Sequence, residues 1–128
     1  MREAVIIRHG EQSTSANQPV EMAGDSFAIS EWQGSGPAQL HIHHADDEAW
    51  HILEGTIRFR FAEREVEAQA GTTVFVPAGV AHAYSTDDAR YLIILTPRLK
   101  ALIDELHRTP DPQAHPAVYR KYASELLA

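Results

Sequence analysis

Short apolar stretches separated by turn residues dominate the first three-quarters of the chain. The clearest alternation covers residues 56–61, where Ile57, Phe59 and Phe61 share one face of a strand and two arginines occupy the other. Comparable strands are predicted at residues 5–7, 27–32, 40–43, 48–53, 64–69, 73–76, 81–85 and 91–95, with a polar loop over 11–24. Many short strands without internal repeats favour an all-β barrel or sandwich.

Two tight turns are predicted between these strands. Glu54–Gly55 is interpreted as a hairpin turn, because glycine adopts a positive φ without steric cost. Pro77-Ala78-Gly79 fits a β-turn with proline in its second position and glycine in its fourth.

The last quarter of the chain changes to helical periodicity. Thr96 followed by Pro97 predicts the start of a helix, and apolar residues recur at helical spacing at positions 99, 102, 103 and 106. A second helix is predicted over residues 116–127, with Val118, Tyr119, Tyr122 and Leu126 available for packing. Either both helices pack outside the barrel, or the second one covers a pocket or reaches a partner subunit.

Length and charge narrow the class of protein. A chain of 128 residues, 44% of them hydrophobic, is long enough for one domain. We assign residues 1–96 to the barrel and residues 97–128 to a helical extension of the same domain. The net charge of −7 argues against binding to nucleic acid or anionic membranes. The sequence has no cysteine, no apolar signal-like start and no 18-residue apolar stretch, so a soluble, cytoplasmic protein without disulfides is expected.

Three histidines and one glutamate form the candidate chemistry of the chain. His41 and His43 are two residues apart, so on a strand they point to the same face. Glu48 follows a short polar step at residues 45–47 and is predicted to return on the neighbouring strand. His82 lies far downstream, after the proline-glycine turn. Imidazole nitrogens and carboxylate oxygens are the ligands that first-row transition metals bind, which predicts a four-ligand metal site inside the barrel.

The spacing of these residues resembles the two sequence motifs of the cupin superfamily. The first motif is matched by His41, His43, Glu48 and Gly55. The second is matched, at the spacings that the motif expects, by Gly71, Pro77, Gly79 and His82. The matched core covers about residues 36–86. The sequence departs from the two motifs at two positions. The first motif expects a glycine at residue 35, and Gly34 and Gly36 each miss that position by one. In the second motif, Thr86 replaces an asparagine whose role we take to be structural.

The resemblance implies a jelly-roll β-barrel, here followed by two C-terminal α-helices. It also implies one divalent transition metal ion (Fe, Mn, Ni, Cu, Co or Zn) on His41, His43, Glu48 and His82, with two coordination positions left for water, dioxygen or substrate. The chain looks most like small single-domain bacterial cupins related to quercetin dioxygenases and germin-like proteins. That likeness implies a metal-dependent dioxygenase or other oxidoreductase acting on a small enolic or phenolic compound, with Glu48 as a general base if it leaves the metal.

Two other classes of function remain open at this point. One is a non-redox metal-dependent isomerase or lyase, and the other is a cupin that binds a small molecule without turnover. No lysine or arginine lies close to the motifs on the ligand face to hold a phosphate, which counts against sugar phosphates as substrates.

Aromatic residues near the motifs are candidates for a substrate pocket, with core packing as the competing assignment for each. They are Trp50, Phe59, Phe75 and Tyr84. The other histidines are expected to lie outside the metal site: His44 and His51 alternate away from the ligands, and His9, His107 and His115 are predicted surface residues. Asp46 and Asp47 are assigned to the loop, with contacts to the metal ligands as the alternative.

Assembly is predicted from apolar material at both ends of the chain. Residues 5–7 and 118–127 carry apolar and aromatic side chains that one small barrel does not fully cover. A two-fold contact is the usual way to bury such an edge or patch, so a homodimer is expected.

Overall fold

The computed structural model describes residues 3–8, 20–34 and 37–127, and within them the chain forms two facing antiparallel sheets. The first sheet has the spatial order β1-β2-β9-β4-β7 and contains β1 (Val20–Ala23), β2 (Ala28–Gln33), β9 (Arg90–Leu95), β4 (Glu48–Glu54) and β7 (Thr73–Val76). The second has the order β10-β3-β8-β5-β6 and contains β10 (Ser124–Leu126), β3 (Ala38–His43), β8 (His82–Ser85), β5 (Thr56–Arg60) and β6 (Glu65–Gln69). This two-sheet architecture confirms the predicted all-β jelly roll with two C-terminal helices.

Eight of the nine predicted strands are present, with ends within two residues of the predicted ones. The strand predicted at residues 5–7 is wrong, since residues 3–8 have no regular secondary structure and Val5 and Ile6 are 64% and 68% exposed. The predicted loop over residues 11–24 needs a correction at its end. Val20–Ala23 forms β1 because it pairs residue by residue with β2, whereas residues 11–19 lie outside the described part of the chain.

The turn at Gly55 does not close a hairpin. β4 belongs to the first sheet and β5 to the second, so the chain crosses from one sheet to the other at this point. Gly55 has a φ of +79°, and a Cβ there would lie 3.1 Å from the Cα of Ala89. The positive φ and the close approach both favour glycine at this position. The prediction of a tight glycine turn is confirmed, and the prediction of a hairpin is wrong.

The strand that carries Glu48 does not pair with the strand of His41 and His43, contrary to the prediction. His43 ends β3 in the second sheet, and Glu48 begins β4 in the first. The loop between them spans the gap between the sheets, so the two side chains meet across the interior. Facing sheets in this fold allow ligands from both layers to converge on one point.

The core lies between the two sheets and follows the alternation of the strands. On β5, Ile57 and Phe59 are 0% and 1% exposed, whereas the intervening arginines are exposed. The inner face of the first sheet contributes Trp50, Ile52 and Tyr91, each at most 2% exposed. Burial of such large apolar side chains, worth roughly 1.5–3 kcal/mol each, is the main stabilising term of the barrel.

The first helix, α1 (Pro97–His107), begins as predicted. The Thr96 hydroxyl oxygen accepts a hydrogen bond of 3.2 Å from the backbone N–H of Leu99, and Pro97 occupies the first turn. Leu99 and Leu102 are each 1% exposed and pack onto the barrel core. The amphipathic pattern of this helix therefore attaches it to the sheets.

The second helix is shorter than predicted. α2 (His115–Lys121) follows a single 3₁₀ turn at Pro112–Ala114 and ends well before residue 127. Ala123 then has a φ of +54°, and the chain turns into strand β10, which pairs with β3. The apolar spacing that suggested a longer helix arises because Tyr122 and Leu126 still pack against the core from a turn and a strand. Of the helices in the described residues, none is long and apolar enough to cross a membrane.

Candidate metal centre

Four side chains from three strands converge between the two sheets. His41 and His43 lie on β3, His82 on β8 and Glu48 on β4. All four are 6% exposed or less, and one potential ligand atom of each lies within 4.8 Å of the others. His41 and His82 are direct partners in the β3–β8 register. The structure therefore brings together all four residues that the sequence predicted as metal ligands.

Outward hydrogen bonds fix the orientation of two of these imidazoles. Nδ1 of His41 lies 2.6 Å from the carbonyl oxygen of Gln39, and Nδ1 of His82 lies 3.0 Å from that of Val80. A carbonyl oxygen only accepts, so each Nδ1 carries the hydrogen and donates it. Nε2 of each ring is then left with a lone pair, the form in which imidazole binds a metal.

The Glu48 carboxylate lies against the Nε2 atoms of two histidines. Its Oε1 atom is 2.7 Å from Nε2 of His82 and 3.1 Å from Nε2 of His43. Burial alone raises the pKa of Glu48, but the hydrogen bonds with His43 and His82, which form when Nε2 of those rings carries a proton, outweigh it and lower the pKa to about 2. Burial, followed by the charge of His82, lowers the pKa of His41 to about 4. At neutral pH Glu48 is therefore ionised and His41 neutral, the states that bind metal.

This arrangement fits a cation. When the His82 ring is neutral with its hydrogen on Nδ1, its Nε2 atom and the carboxylate of Glu48 present lone pairs to each other at 2.7 Å. Two acceptors at that distance repel unless a proton or a metal ion lies between them. Three imidazole nitrogens and one carboxylate oxygen form a donor set that divalent transition metals accept, and burying the four groups without compensation would cost several kcal/mol. The residues present thus fit a transition metal ion.

A cavity of about 590 Å³ opens beside the cluster. His41, His43 and Glu48 line it, whereas His82 is fully buried behind them. The rest of the wall is mainly apolar and aromatic, including Trp32, Trp50, Tyr84, Leu102, Leu106 and Tyr119. The volume lies within the range typical of small-molecule sites. Both helices contribute to this wall, so they pack on the barrel and cover the cavity at the same time.

Two of the four predicted pocket residues line this cavity, namely Trp50 and Tyr84. Phe59 packs in the core instead, 1% exposed and with its ring centroid 5.2 Å from that of Trp50. The assignment of Phe75 is wrong, because its side chain is 63% exposed. In the β4–β7 register Val76 is the partner of the inward-facing Glu48, so alternation turns Phe75 outward.

The remaining histidines divide into two groups. His44 is exposed and lies 3.2 Å from Glu125, and His51 bonds to Thr73 at 2.8 Å, both away from the cluster as predicted. His107 and His115 both line the cavity; His107 is exposed there as predicted, whereas the surface assignment needs a correction for His115, which is partly buried and lies 2.7 Å from the carbonyl oxygen of Thr109. His107 stacks on Trp32 with a centroid distance of 5.0 Å. His9 lies outside the described residues.

The sequence missed three residues at the site. Trp32 and Tyr119 line the cavity, and the Tyr119 ring centroid lies 5.5 Å from that of His41. Burial, followed by the charges of Tyr84 and Glu48, raises the pKa of Tyr119 to about 12, so its hydroxyl stays protonated at neutral pH. Ser124 contacts His43 at 2.7 Å. The alternation of β2 could have predicted that Trp32 points inward. The positions of Tyr119 and Ser124 depend instead on how the C-terminal segment folds back onto the barrel.

Three polar residues support the loops around the cluster rather than the ligands. Asp47 accepts a hydrogen bond of 2.8 Å from the backbone N–H of Ala78, which anchors the turn before β8. Asp46 lies 3.4 Å from Arg98 at the start of α1. Thr86 donates to the carbonyl oxygen of Thr56 at 2.8 Å, so its predicted structural role is confirmed.

Comparison with known proteins places the fold and the motif in a family. An uncharacterized protein of Streptomyces coelicolor is 32% identical over 65 residues, which cover 49% of this chain and 62% of that relative. A crystal structure of a cupin-2 domain protein from Shewanella frigidimarina is 25% identical with a TM-score of 0.56, over 62% of this chain and 79% of that one. A double-stranded β-helix protein from Klebsiella pneumoniae, 14% identical, shares the fold with a TM-score of 0.58, over 74% and 91% of the two chains.

The family itself follows from a match over the barrel. A family model described as Cupin domain covers residues 28–95, just over half of the chain. The matched range contains all four residues of the buried cluster and eight of the ten strands found in the described part of the chain. The protein is therefore a member of the cupin family with an intact His-His-Glu-His cluster.

Proposed function

We propose that this cupin is a metal-dependent oxygenase that acts on a small enolic or phenolic compound. The observation that carries the proposal is that His41, His43 and Glu48 of the buried cluster form part of the wall of an apolar, aromatic cavity. A metal site that opens into such a cavity is suited to an organic substrate held beside the ion. Isolated structural metal sites, by contrast, are closed by protein ligands and have no adjoining cavity.

The wall of the cavity favours an uncharged or weakly acidic substrate. Among the described residues that line it, none is lysine or arginine, and Glu48 is the one carboxylate. A phosphate or a strongly anionic group would meet no cation there apart from the metal. Trp50, Tyr84 and Tyr119 instead offer aromatic surfaces against which a planar ring can pack. Enols and phenols combine such a ring or flat system with an oxygen that binds metals.

A bound transition metal would supply Lewis acidity and a route for electrons from the substrate to O₂. The oxidant is O₂, and a dioxygenase reaction places both of its atoms in the product as a carbon–carbon bond breaks, so no external reductant is required. The chain itself holds the substrate in an apolar cavity that excludes bulk water. Glu48 is the candidate base for the enolic or phenolic proton, since it is the carboxylate at the cavity wall.

Glu48 becomes a stronger base only when it leaves its histidine partners. Its pKa of about 2 results from hydrogen bonds with His43 and His82 that outweigh the opposite effect of burial. A carboxylate that moves away from both rings while staying buried loses the hydrogen bonds that lower its pKa and keeps the burial that raises it. Movement of Glu48 toward the cavity would therefore bring its pKa closer to the pH of reaction.

Oxygen consumption by metal-reconstituted protein tests the proposal. With flavonols, catechols and β-diketones as substrates, we expect O₂ uptake with at least one of them and two ¹⁸O atoms from ¹⁸O₂ in the products of each substrate molecule. Metal-free protein and the His82→Ala variant are the controls and should show neither. If turnover continues equally under argon and the product carries no ¹⁸O, the reaction is an isomerisation or lyase cleavage and the oxygenase proposal fails.

We also propose that the protein is a homodimer. The apolar surface that supports this proposal differs in part from the one that the sequence suggested. Val118 and Tyr119 are each 8% exposed and pack on their own barrel, so these two side chains are not available to a partner subunit. An apolar surface lies instead on the outer face of the first sheet. A continuous apolar row crosses four of its strands, Ile29, Ile94, Ala49 and Phe75. Phe75, on the edge strand, is 63% exposed.

Light scattering at micromolar concentration should give about twice the 14.2 kDa mass of the chain. Phe75→Asp is expected to shift the mass toward one chain, because a carboxylate in the apolar row would be desolvated at the contact. Glu67→Ser, on the outer face of the second sheet, should leave the mass unchanged. A wild-type mass near 14.2 kDa rules out the dimer.

A further inference from the structure

Ser124 is a buried polar residue that contacts the metal cluster from the far end of the sequence. It lies on β10 directly opposite His43 in the β3–β10 register and is 3% exposed. Its Oγ atom is 2.7 Å from Nδ1 of His43, a residue 81 positions earlier in the chain. Among the described residues, this hydroxyl is the hydrogen-bond partner of that Nδ1.

The second contact of Ser124 sets the direction of this hydrogen bond. Its hydroxyl donates to the carbonyl oxygen of Tyr122 at 3.1 Å. Since a serine hydroxyl has one hydrogen, Oγ accepts at its other contact, and Nδ1 of His43 is the donor. Nε2 of His43 is then left with a lone pair directed at the cluster, 3.1 Å from Glu48.

The other two histidines reach the same state by local means. The acceptors for His41 and His82 are backbone carbonyls two positions earlier on their own chain segment, Gln39 and Val80. These contacts form as soon as the local segment folds. His43 alone among the three relies on a side chain from the C-terminal segment.

We infer that Ser124 is a positioning residue of the metal centre, and that docking of strand β10 sets the ring orientation and tautomer of His43 for metal binding. The inference rests on the metal cluster within the proposed function and is independent of whether the reaction is an oxygenation. Hydrogen bonds to the outer nitrogen of a ligating histidine typically change metal affinity by 10- to 100-fold. We expect an effect of about that size here.

The C-terminal segment is built to hold this hydroxyl in place. Glu105 on α1 accepts hydrogen bonds from the Tyr122 hydroxyl at 2.6 Å and from Nζ of Lys121 at 2.9 Å. Beyond that point, the carbonyl oxygen of Ala123 accepts from the backbone N–H of His44 at 2.9 Å. The turn that carries the Tyr122 carbonyl is therefore fixed on one side by α1 and on the other by β3. The acceptor of the Ser124 hydroxyl is held by the same contacts.

The test compares Ser124→Ala with Glu125→Ala, the next residue on the same strand, whose side chain is exposed and lies against His44. Long-range ¹H–¹⁵N spectra of the metal-free proteins report which nitrogen of His43 carries the hydrogen. Competition with a chelator then gives the affinity for Zn²⁺ or Co²⁺. Ser124→Thr, which keeps the hydroxyl, is the rescue variant.

In wild type, Glu125→Ala and Ser124→Thr, we expect the hydrogen of His43 on Nδ1 and similar metal affinities. In Ser124→Ala, we expect a mixture of the two tautomers and an affinity about 10- to 100-fold lower. Full affinity and an unchanged Nδ1–H signal in Ser124→Ala would overturn the inference. If Ser124→Ala does not fold, the tautomer of His43 in wild type decides, because hydrogen on Nε2 in the metal-free protein contradicts the inference directly. Failure of the oxygenase assay would leave these results unaffected.

Discussion

Replacing His82 by alanine is expected to weaken binding of a divalent transition metal by a factor of about 100 or more. Loss of a hydrogen bond behind a ligand already costs about 10- to 100-fold, so loss of a ligand should cost at least the upper end of that range. His82 is 0% exposed and lies 2.7 Å from Glu48, so no solvent-exposed group can take its position. Elemental analysis of protein made without a chelating tag gives the stoichiometry, and chelator competition gives the affinity.

His44→Ala is the matched control, because it removes an imidazole from the same segment while leaving the cluster untouched. That variant should retain about one metal ion per chain. Circular dichroism should show that His82→Ala keeps the barrel, since the apolar core between the sheets does not depend on this side chain. A His82→Ala protein with wild-type metal content would contradict the assignment of the ligand.

The second large effect concerns the coupling between metal and stability. A ligand that binds only the folded protein raises the free energy of unfolding by about 4 kcal/mol when its concentration is 1,000 times its Kd. For a domain of this size that corresponds to a rise in Tm of roughly 10–20 °C. The rise is expected because the four ligands come from both sheets and from distant parts of the sequence, so the unfolded chain has no equivalent site.

Thermal melts with and without added metal measure this coupling, with removal of the metal by a chelator as the reverse experiment. The His82→Ala variant should show a much smaller rise at the same metal concentration. Magnesium, which prefers oxygen ligands, should have little effect on either protein. An equal rise in wild type and His82→Ala would mean that the stabilising ion binds elsewhere.

The ligand set could be predicted from the sequence because each ligand lies in a short, recognisable stretch, although these stretches are far apart in the chain. His41 and His43 share a face by the period of a single strand, and His82 follows a turn marked by proline and glycine. Each of these features depends on a few consecutive residues. What the sequence did not determine was how the strands are distributed between the sheets. Glu48 was expected on a strand beside β3 and instead faces it from the other sheet.

The C-terminal segment shows the opposite case. Val118, Tyr119, Tyr122 and Leu126 are spaced as on one helix, and this pattern predicted helix through residue 127. The helix ends at Lys121 because the following residues gain hydrogen bonds to β3 that a longer helix would not provide. Ala123 adopts a positive φ at the change of direction, a conformation that an alanine does not signal in advance. Ser124, whose role depends on this turn, was therefore not predictable.

Aromatic composition was a weak guide to the cavity. Phe75 was placed there because aromatic residues near the motifs are common in such pockets, yet the register of its edge strand turns it to solvent. Trp32 is also an aromatic strand residue, but it lies on the cavity wall because its position in the alternation of β2 turns its side chain inward. The hydrophobicity of a single residue does not separate these cases, whereas its position in the strand register does.

Anomalous X-ray diffraction from crystals of the metal-loaded protein tests the central claim most directly. At the absorption edge of the metal found by elemental analysis, we predict one strong peak per chain, bonded to Nε2 of His41, His43 and His82 and to the carboxylate of Glu48. A metal-loaded crystal whose peak lies elsewhere, with these four side chains still in contact only with one another, would contradict the account.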